Sequence, residues 1–400
     1  MLVYEFKLKA QKHQFSALDE AIRTGQFIRN KCLLYWMDAP HDEKVNRFSL
    51  NQYTKILADN PDFPFVAKLN SMARQAMAER AWSSISRFFD NCKKKVPGKK
   101  GFPRFKKFSR SVEYKTTGWK LSDNRKYLTI TDKTGIGKLK LIGSRDLHFY
   151  QKSQIKRVRL IRLADGYYAQ FCIDTERTEN TNPTGKSLGI DVGLESFYTD
   201  SNGDKVNNPR LLRKAEAKLK KLQRRLSKCP KGSANRRKAQ NRLGRQHMKV
   251  SRQRKDFAVK KARCVMKSND FVVIENLNVK GLARTRMAKS INDAGWSLFR
   301  QWLEYFSNLF DRKLIAVNPN YTSQDCSVCG KRAKKFLSTR THICECGARL
   351  CRDHNAAINI LNKGLDSVGH TQISQEYWVN ASGQLSLWCI DENQYTKFAG

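Results

Sequence analysis

At 400 residues with 40% hydrophobic content, the chain can bury the cores of two or three domains, which excludes wholesale disorder. Lys and Arg number 77 against 36 Asp and Glu, and a formal charge of +41 would repel itself unless a polyanion were bound, which points to nucleic acid rather than to a small acidic ligand. No run approaches the roughly 18 consecutive apolar residues of a membrane span, and the opening MLVYEFKLKA alternates like a strand rather than a signal peptide, so a cytoplasmic protein without a membrane partner is expected.

VYEFKL at residues 3–8 has strand periodicity, and about the next 85 residues carry helical spacing, as in Val66, Leu69, Met72, Ala73, Met77, Ala81, Trp82, Ile85 and Phe89. In KKKVPGKKGFPRFKKFSR (93–110), Phe102, Phe105 and Phe108 alternate with basic residues. Such a segment can follow a backbone while its rings stack on unpaired bases, so Lys99, Lys100, Arg104, Phe105 and Lys106 are candidate RNA contacts. The alternative is a basic linker whose rings face the core. Strand signals return over residues 112–174 in VEYKT, KYLTIT, GKLKLI and RVRLIRLADGYYAQFCID, the last with Asp165-Gly166 as its expected hairpin turn. The N-terminal half therefore predicts a β-barrel or sheet interrupted by helices, ending in a linker at NTNPTG (180–185).

SLGIDVGLESFYTDSNGDKV then reads as three strands joined by turns. Leu212, Ala215, Leu219, Leu222 and Leu226 form a helical seam that stops at CPKG, and a second helix follows over about 234–267. Residues 209–263 contain 22 Lys or Arg but only Glu216 and Asp256 as acids. So little internal compensation favours a phosphate backbone along this hairpin, with Arg224, Arg225, Arg236 and Arg237 as candidate contacts. FVVIE is a buried-looking strand, an aromatic-rich helix covers about 295–313, LIAVNP is another strand, and HNAAINILNKG a short helix. Periodicity fades beyond Asp366, which predicts a mobile tail over 367–400.

Six of the eleven cysteines (Cys32, Cys92, Cys172, Cys229, Cys264 and Cys389) are isolated and expected to be free thiols. The other five lie within residues 326–351. Cys326-Ser-Val-Cys329-Gly and Cys344-Glu-Cys346-Gly offer two sulfur pairs for one structural zinc ion. The second pair is one residue tighter than the usual spacing, so His342 or Cys351 could replace Cys344. A closed four-ligand site would hold a ribbon together rather than perform a reaction.

Three carboxylates stand out by position. Asp191 interrupts LGIDVGL, Glu275 ends FVVIE, and Asp353 precedes HNAAINIL. Singly, these read equally well as strand-end charges or an N-cap. Together they match an RNase H-like arrangement, in which hard oxygen ligands hold two magnesium ions roughly 3.5 to 4 Å apart for phosphodiester hydrolysis. No Ser-His-Asp set, Walker loop or dinucleotide fingerprint competes.

GIDVGL, IENLNVKGLA, AKSINDAGWSLF, YTSQDCSVCG and CRDHNAAINIL, in this order and with KKGFPRFKKF upstream, resemble the TnpB proteins of bacterial and archaeal insertion sequences, relatives of the type V CRISPR effectors. The resemblance is dense over residues 187–365, weak over the helical insertion and absent beyond 366. It implies an RNA-guided DNA endonuclease of the prokaryotic cytosol with an α/β multi-domain fold. A wedge β-barrel (1–9 and 95–185) would carry a helical recognition insertion (10–94). A RuvC domain (186–318 and 352–366) would carry an inserted zinc ribbon (319–351) that binds the target. Asp191, Glu275 and Asp353 match the family's catalytic acids, and Cys326, Cys329 and Cys346 its ribbon ligands. The third cysteine is displaced to Cys344, and Cys351 stands where the family often has an acid. The implied partners are a guide (omega) RNA transcribed from the element's own end, with one protein per guide, and double-stranded target DNA beside a short adjacent motif. The implied cofactors are two catalytic Mg2+ ions and one structural Zn2+. Two other readings remain: a guide-bound DNA binder that represses without cutting, and an RNase H-fold transposase.

Overall fold

The computed structural model describes residues 2–40, 42–333 and 339–368, so the tail expected over 367–400 lies, beyond Val368, outside the described residues, as does Cys389. Two compact units divide between Glu176 and Arg177.

The first unit begins with β1 (Leu2–Lys9), continues through α1 (Lys12–Asp38), α2 (Arg47–Asp59), α3 (Pro64–Lys68) and α4 (Ser71–Lys93), and then forms β2 (Ser111–Lys115), β3 (Trp119–Leu121), β4 (Tyr127–Ile130), β5 (Lys138–Ile142), β6 (Ile155–Leu163) and β7 (Gly166–Ile173). The seven strands pair in the order β2-β6-β7-β1-β5-β4-β3. The terminal strands β2 and β3 are not bonded to each other, so the expected barrel is an open sheet. An open edge needs cover, and α4 provides it: Arg80 donates to the Ser111 carbonyl of β2 at 3.3 Å. Leu18, Ile28, Leu33, Met77 and Ile85 of the helices share one core with Val112, Leu128, Leu139 and Phe171 of the sheet. The β6–β7 turn is Ala164-Asp165, one residue earlier than expected, because Gly166 already pairs with Leu163.

This unit buries a carboxylate that sequence alternation conceals. Glu113 of β2 is 2% exposed. It is held by Arg80 at 3.0 Å, Arg157 at 2.8 Å and Arg159 at 2.8 Å. Burial alone would raise its pKa, but the three guanidiniums outweigh it and bring the group down to about 2. A depressed carboxylate stabilises the fold above its unfolded value and loses that contribution as pH falls from about 4.5 towards 2, here on the order of 3 kcal/mol. Glu113→Ala leaves Arg80 and Arg159 without their carboxylate, while Arg157 keeps Glu79 at 3.1 Å, and is expected to destabilise this unit by about 3 kcal/mol in denaturant titrations. An unchanged midpoint would mean that water screens the cluster.

The second unit contains β8 (Ser187–Val192), β9 (Ser196–Asp200), β10 (Lys205–Asn207), α5 (Leu211–Ser227), α6 (Ala234–Ser268), β11 (Phe271–Glu275), α7 (Val279–Leu282), α8 (Ala288–Ala294), α9 (Trp296–Phe310) and β12 (Lys313–Val317), followed by β13 (Thr341–Ile343), β14 (Arg349–Cys351) and α10 (Arg352–Asp366). Five strands form a sheet in the order β10-β9-β8-β11-β12, with β8, β11 and β12 parallel and β9 antiparallel to its neighbours. Leu188, Ile190, Val272 and Ile274 face α6 and α9, packing on Ala262, Phe299 and Leu303. Phe271 and Val273 face the opposite way, onto Ile360, Leu361 and Leu365 of α10. The alternation in FVVIE thus becomes two packed faces.

Residues 177–185, expected to end the barrel, belong instead to the second unit. Asp270 accepts from the Thr184 and Gly185 amides at 2.8 and 2.6 Å, and Arg312 donates to the Thr181 side chain at 2.8 Å. Cys32, Cys92, Cys172 and Cys229 carry free thiols. Among the described residues, no helix is long and apolar enough to cross a membrane.

Candidate active site and metal-binding ribbon

Strand register brings two of the three singled-out acids together. Gly189 pairs with Val273 and Ile190 with Ile274, so the next positions, Asp191 and Glu275, stand side by side at the carboxyl ends of two parallel strands. Each lies two residues beyond a position in contact with α10, and therefore on the α10 face. An ideal Cβ at Gly189 would fall 2.2 Å from the Ala357 carbonyl oxygen, and one at Gly364 would fall 2.3 Å from Val273 Cγ2. The helix thus lies closer to both strands than a side chain would permit, and it carries Asp353 in its first turn. The N-cap position belongs to Cys351, so Asp353 is not the cap.

Glu275 and Asp353 both act on Asp191. Burial raises Asp191 well above the usual carboxylate range, and the charges of Glu275 and Asp353 push the same way against Arg352. Burial also raises Glu275, which the Thr322 hydroxyl and Lys363 oppose. Thr199, paired with Asp191 across β8 and β9, is 1% exposed with no hydrogen-bond partner for its hydroxyl. Mutually repelling carboxylates beside an unused hydroxyl suit divalent cations better than an empty pocket. Among the described residues only a four-cysteine group gathers three or more donors within 4.8 Å of one another, so the carboxylates are spread more widely than a single-ion cage.

Sequence reading missed the residues that hold this arrangement. Thr322 Oγ1 donates to Glu275 Oε1 at 2.6 Å. Its backbone carbonyl accepts from Asn359 Nδ2 at 2.8 Å, and Asn359 and Asn355 both donate to the Asp325 carbonyl, at 2.7 and 2.8 Å. The available signal was two asparagines four apart on the apolar face of HNAAINIL, a spacing that puts both against one neighbour. Asn355 is fully buried and Asn359 nearly so, and a buried amide needs such partners. Thr322→Val removes only the hydroxyl that orients Glu275. It is expected to weaken Mn2+ binding by the acids about 10- to 100-fold in calorimetry. Unchanged affinity would make Thr322 a loop anchor only.

The same loop leads into the cysteines. The Sγ atoms of Cys326, Cys329, Cys344 and Cys346 lie within 4.8 Å of one another, with Cys326–Cys346 at 3.8 Å and Cys329–Cys344 at 3.5 Å. A tetrahedral zinc with bonds of about 2.3 Å requires sulfur separations of about 3.8 Å, so the set fits. The tighter second spacing is absorbed by a turn: Gly347, at φ +86°, donates to the Cys344 carbonyl at 3.0 Å, as Gly330 does to that of Cys326 at 2.9 Å. His342 is buried outside the group, and Cys351 Sγ lies 3.1 Å from Lys205 Nζ. The ribbon strand β14 ends at Cys351, and α10 begins at the next residue.

The candidate nucleic-acid contacts differ in availability. The backbone of residues 104–109 is strapped to α1, with Asn30 accepting from the Lys106 amide at 2.9 Å and Gln26 donating to the Lys106 and Lys107 carbonyls at 2.9 Å. Phe105 is 50% exposed and Phe108 88%, and Phe102, at 53%, is equally open while its ring also touches Trp36 and Phe88. Lys99, Arg104 and Lys106 are exposed, whereas Lys100 bonds the Val96 carbonyl. On the basic hairpin, Arg224, Arg225 and Arg237 are exposed. Arg236 is not free: it donates to the Leu226 and Cys229 carbonyls at 3.2 and 2.8 Å, satisfying orphan groups at the end of α5.

Known families match two stretches of the chain. Residues 170–286 match the family described as "Probable transposase", and residues 296–360 the family described as "Cas12f1-like, TNB domain". A Streptomyces pristinaespiralis protein named "Putative RNA-guided DNA endonuclease" is 29% identical over 371 residues, covering 90% of this chain and 89% of that protein. An Escherichia coli (strain K12) protein of the same description, InsQ, is 27% identical over 330 residues, covering 78% and 76%. The solved Cas12f1-sgRNA-target DNA complex contains a chain that aligns with a TM-score of 0.53, covering 87% of this chain and 82% of that one. At 16% identity that likeness concerns the fold.

Proposed function

We propose that this chain, which belongs to the TnpB family, is an RNA-guided DNA endonuclease that hydrolyses phosphodiester bonds at Asp191, Glu275 and Asp353. The observation that carries the catalytic assignment is the register that sets Asp191 beside Glu275 under a helix bearing Asp353. Sheet order and the position of the acids support a RuvC-type domain for the second unit, and the open sheet with its helices a wedge and recognition lobe. Two Mg2+ ions, when bound, supply activation of the attacking water and stabilisation of the leaving 3′ oxygen. The protein's own part is to hold three carboxylates on one face, to fix Glu275 through Thr322, and to keep α10 close enough for Asp353 to complete the set. Cys326, Cys329, Cys344 and Cys346 would hold one zinc that folds the ribbon.

Guide RNA would offset most of the +41 charge, bound through the exposed arginines of the α5–α6 hairpin and the basic aromatic segment, while base pairing selects DNA next to a short adjacent motif. The test is to purify the protein from cells carrying its own locus, sequence the co-purifying RNA, and supply a matched double-stranded target with Mg2+. A defined RNA ending in a variable guide, with cleavage that needs both RNA and Mg2+, is expected. Binding without nicking would leave a repressor, and RNA-independent strand transfer a transposase.

A further inference from the structure

A cavity of about 390 Å³ opens at the carboxyl ends of β8 and β11, and Glu275 forms part of its wall. Its floor is apolar, built from Val192 and Ile274 of the strands and Phe299 of α9. Trp296 also lines it; the ring is only 9% exposed, and its indole N–H has no hydrogen-bond partner. Lys280 stands at the rim and makes no ion pair among the described residues. The opposite rim is stiffened by Arg300, which donates to Glu304 at 2.9 Å and to Asn276 at 2.9 Å.

Aromatic and apolar walls, an unused donor and a lone cation beside a phosphodiester-cleaving centre are the surroundings in which an unpaired base is held. We propose that this cavity receives one unstacked base of the DNA strand being cut, from a nucleotide adjoining the scissile phosphate. The inference rests on the nuclease reading of the acids and adds to it the form of the substrate. The base must be unpaired to enter, whether the strand is already single or the nucleotide is extruded from a duplex at the cost of unstacking. The phosphate would lie over the acids on the α10 face, the base would drop past Glu275 towards α9, and Lys280 would meet the next phosphate. Stacking in the pocket would then fix the strand for in-line attack and set which bond is cut.

The test uses the full-length, guide-loaded protein and a pocket-filling variant, Ser297→Trp, with Ser297→Ala as control; Ser297 is an exposed residue at the cavity wall. Targets carry a single abasic nucleotide scanned through the positions around the cut. The native protein is expected to cut one abasic target about tenfold to a hundredfold more slowly than the intact one, with guided binding unchanged. Ser297→Trp should show a similar loss on the intact target and no further loss at that abasic position. Uniform cutting of every abasic target, or equal cutting by Ser297→Trp and Ser297→Ala, overturns the proposal. If Ser297→Trp does not fold, Gln301→Trp fills the cavity from the next helical turn.

A protein that binds its target but cuts nothing would refute the nuclease reading and leave the pocket to be read separately. Photo-crosslinking of 4-thiothymine, placed at the same positions, would then be mapped by mass spectrometry. Crosslinks to Trp296 or Lys280 uphold the base pocket, and crosslinks found only elsewhere overturn it.

Discussion

Asp191→Asn is expected to reduce target cleavage by more than about a thousandfold while guide-dependent DNA binding stays within about twofold. The amide keeps the shape of the carboxylate and removes the charge that, on the proposed reading, would draw a divalent cation to the centre of the sheet. A merely structural role predicts a different result. In the folded chain Asp191 is raised by burial, Glu275 and Asp353. A carboxyl with a raised folded value destabilises the fold as pH climbs from its unfolded value of about 3.8 towards that raised value. Asparagine abolishes this penalty, so without divalent ions the variant should melt at the same temperature as the native protein or slightly higher at neutral pH. If the three acids hold Mg2+ as proposed, added Mg2+ should then stabilise the native protein more than the variant. Cleavage at the native rate would show that the catalytic set has been misassigned; lost cleavage with a lower melting temperature would point to a packing role for Asp191.

What the sequence made legible follows from the physics of single elements. A charge inside LGIDVGL and another closing FVVIE are visible because apolar strands leave a carboxylate nothing to hide behind. Their adjacency is not visible, since it depends on Gly189 pairing with Val273 across 83 residues of intervening chain, most of it the basic hairpin. The two asparagines of α10 could be read as a polar stripe, but their partners, the Thr322 and Asp325 carbonyls, lie in a loop with no periodicity of its own. In VEYKT, Glu113 cannot be told from an ordinary outward residue, because alternation does not distinguish a solvated face from one covered by α4 and three arginines. NTNPTG has the composition of a linker, yet Asp270 and Arg312 bind it to the second unit. At the ribbon, spacing left Cys344, His342 and Cys351 open, and the turn at Gly347 is what brings Cys344 to the other sulfurs.

Gly189→Ala is the substitution that tests whether α10 sets the geometry of the candidate site. The added methyl would meet the Ala357 carbonyl oxygen at 2.2 Å, Leu361 Cβ at 2.7 Å and the Leu361 amide nitrogen at 2.8 Å. Two of these are backbone atoms of a helix with Ile360 and Leu361 buried beneath it, so no side-chain rotation relieves the clash. The helix must move by about an ångström, at a stability cost of about 1–3 kcal/mol. Asp353 moves with it, away from Asp191 and Glu275, which stay on their strands. A misplacement of that size is expected to lower cleavage about a hundredfold, with guided binding retained and a higher Mg2+ concentration needed for half-maximal rate. Gly232→Ala separates displacement from general destabilisation. Gly232 sits at φ +84° in the turn between α5 and α6 with nothing within 4 Å of the added methyl, so alanine there strains the backbone by about 1 kcal/mol without touching the acids. Cleavage should fall in Gly189→Ala and persist in Gly232→Ala at matched loss of stability; equal loss in both would mean that the close approach of α10 has no part in catalysis.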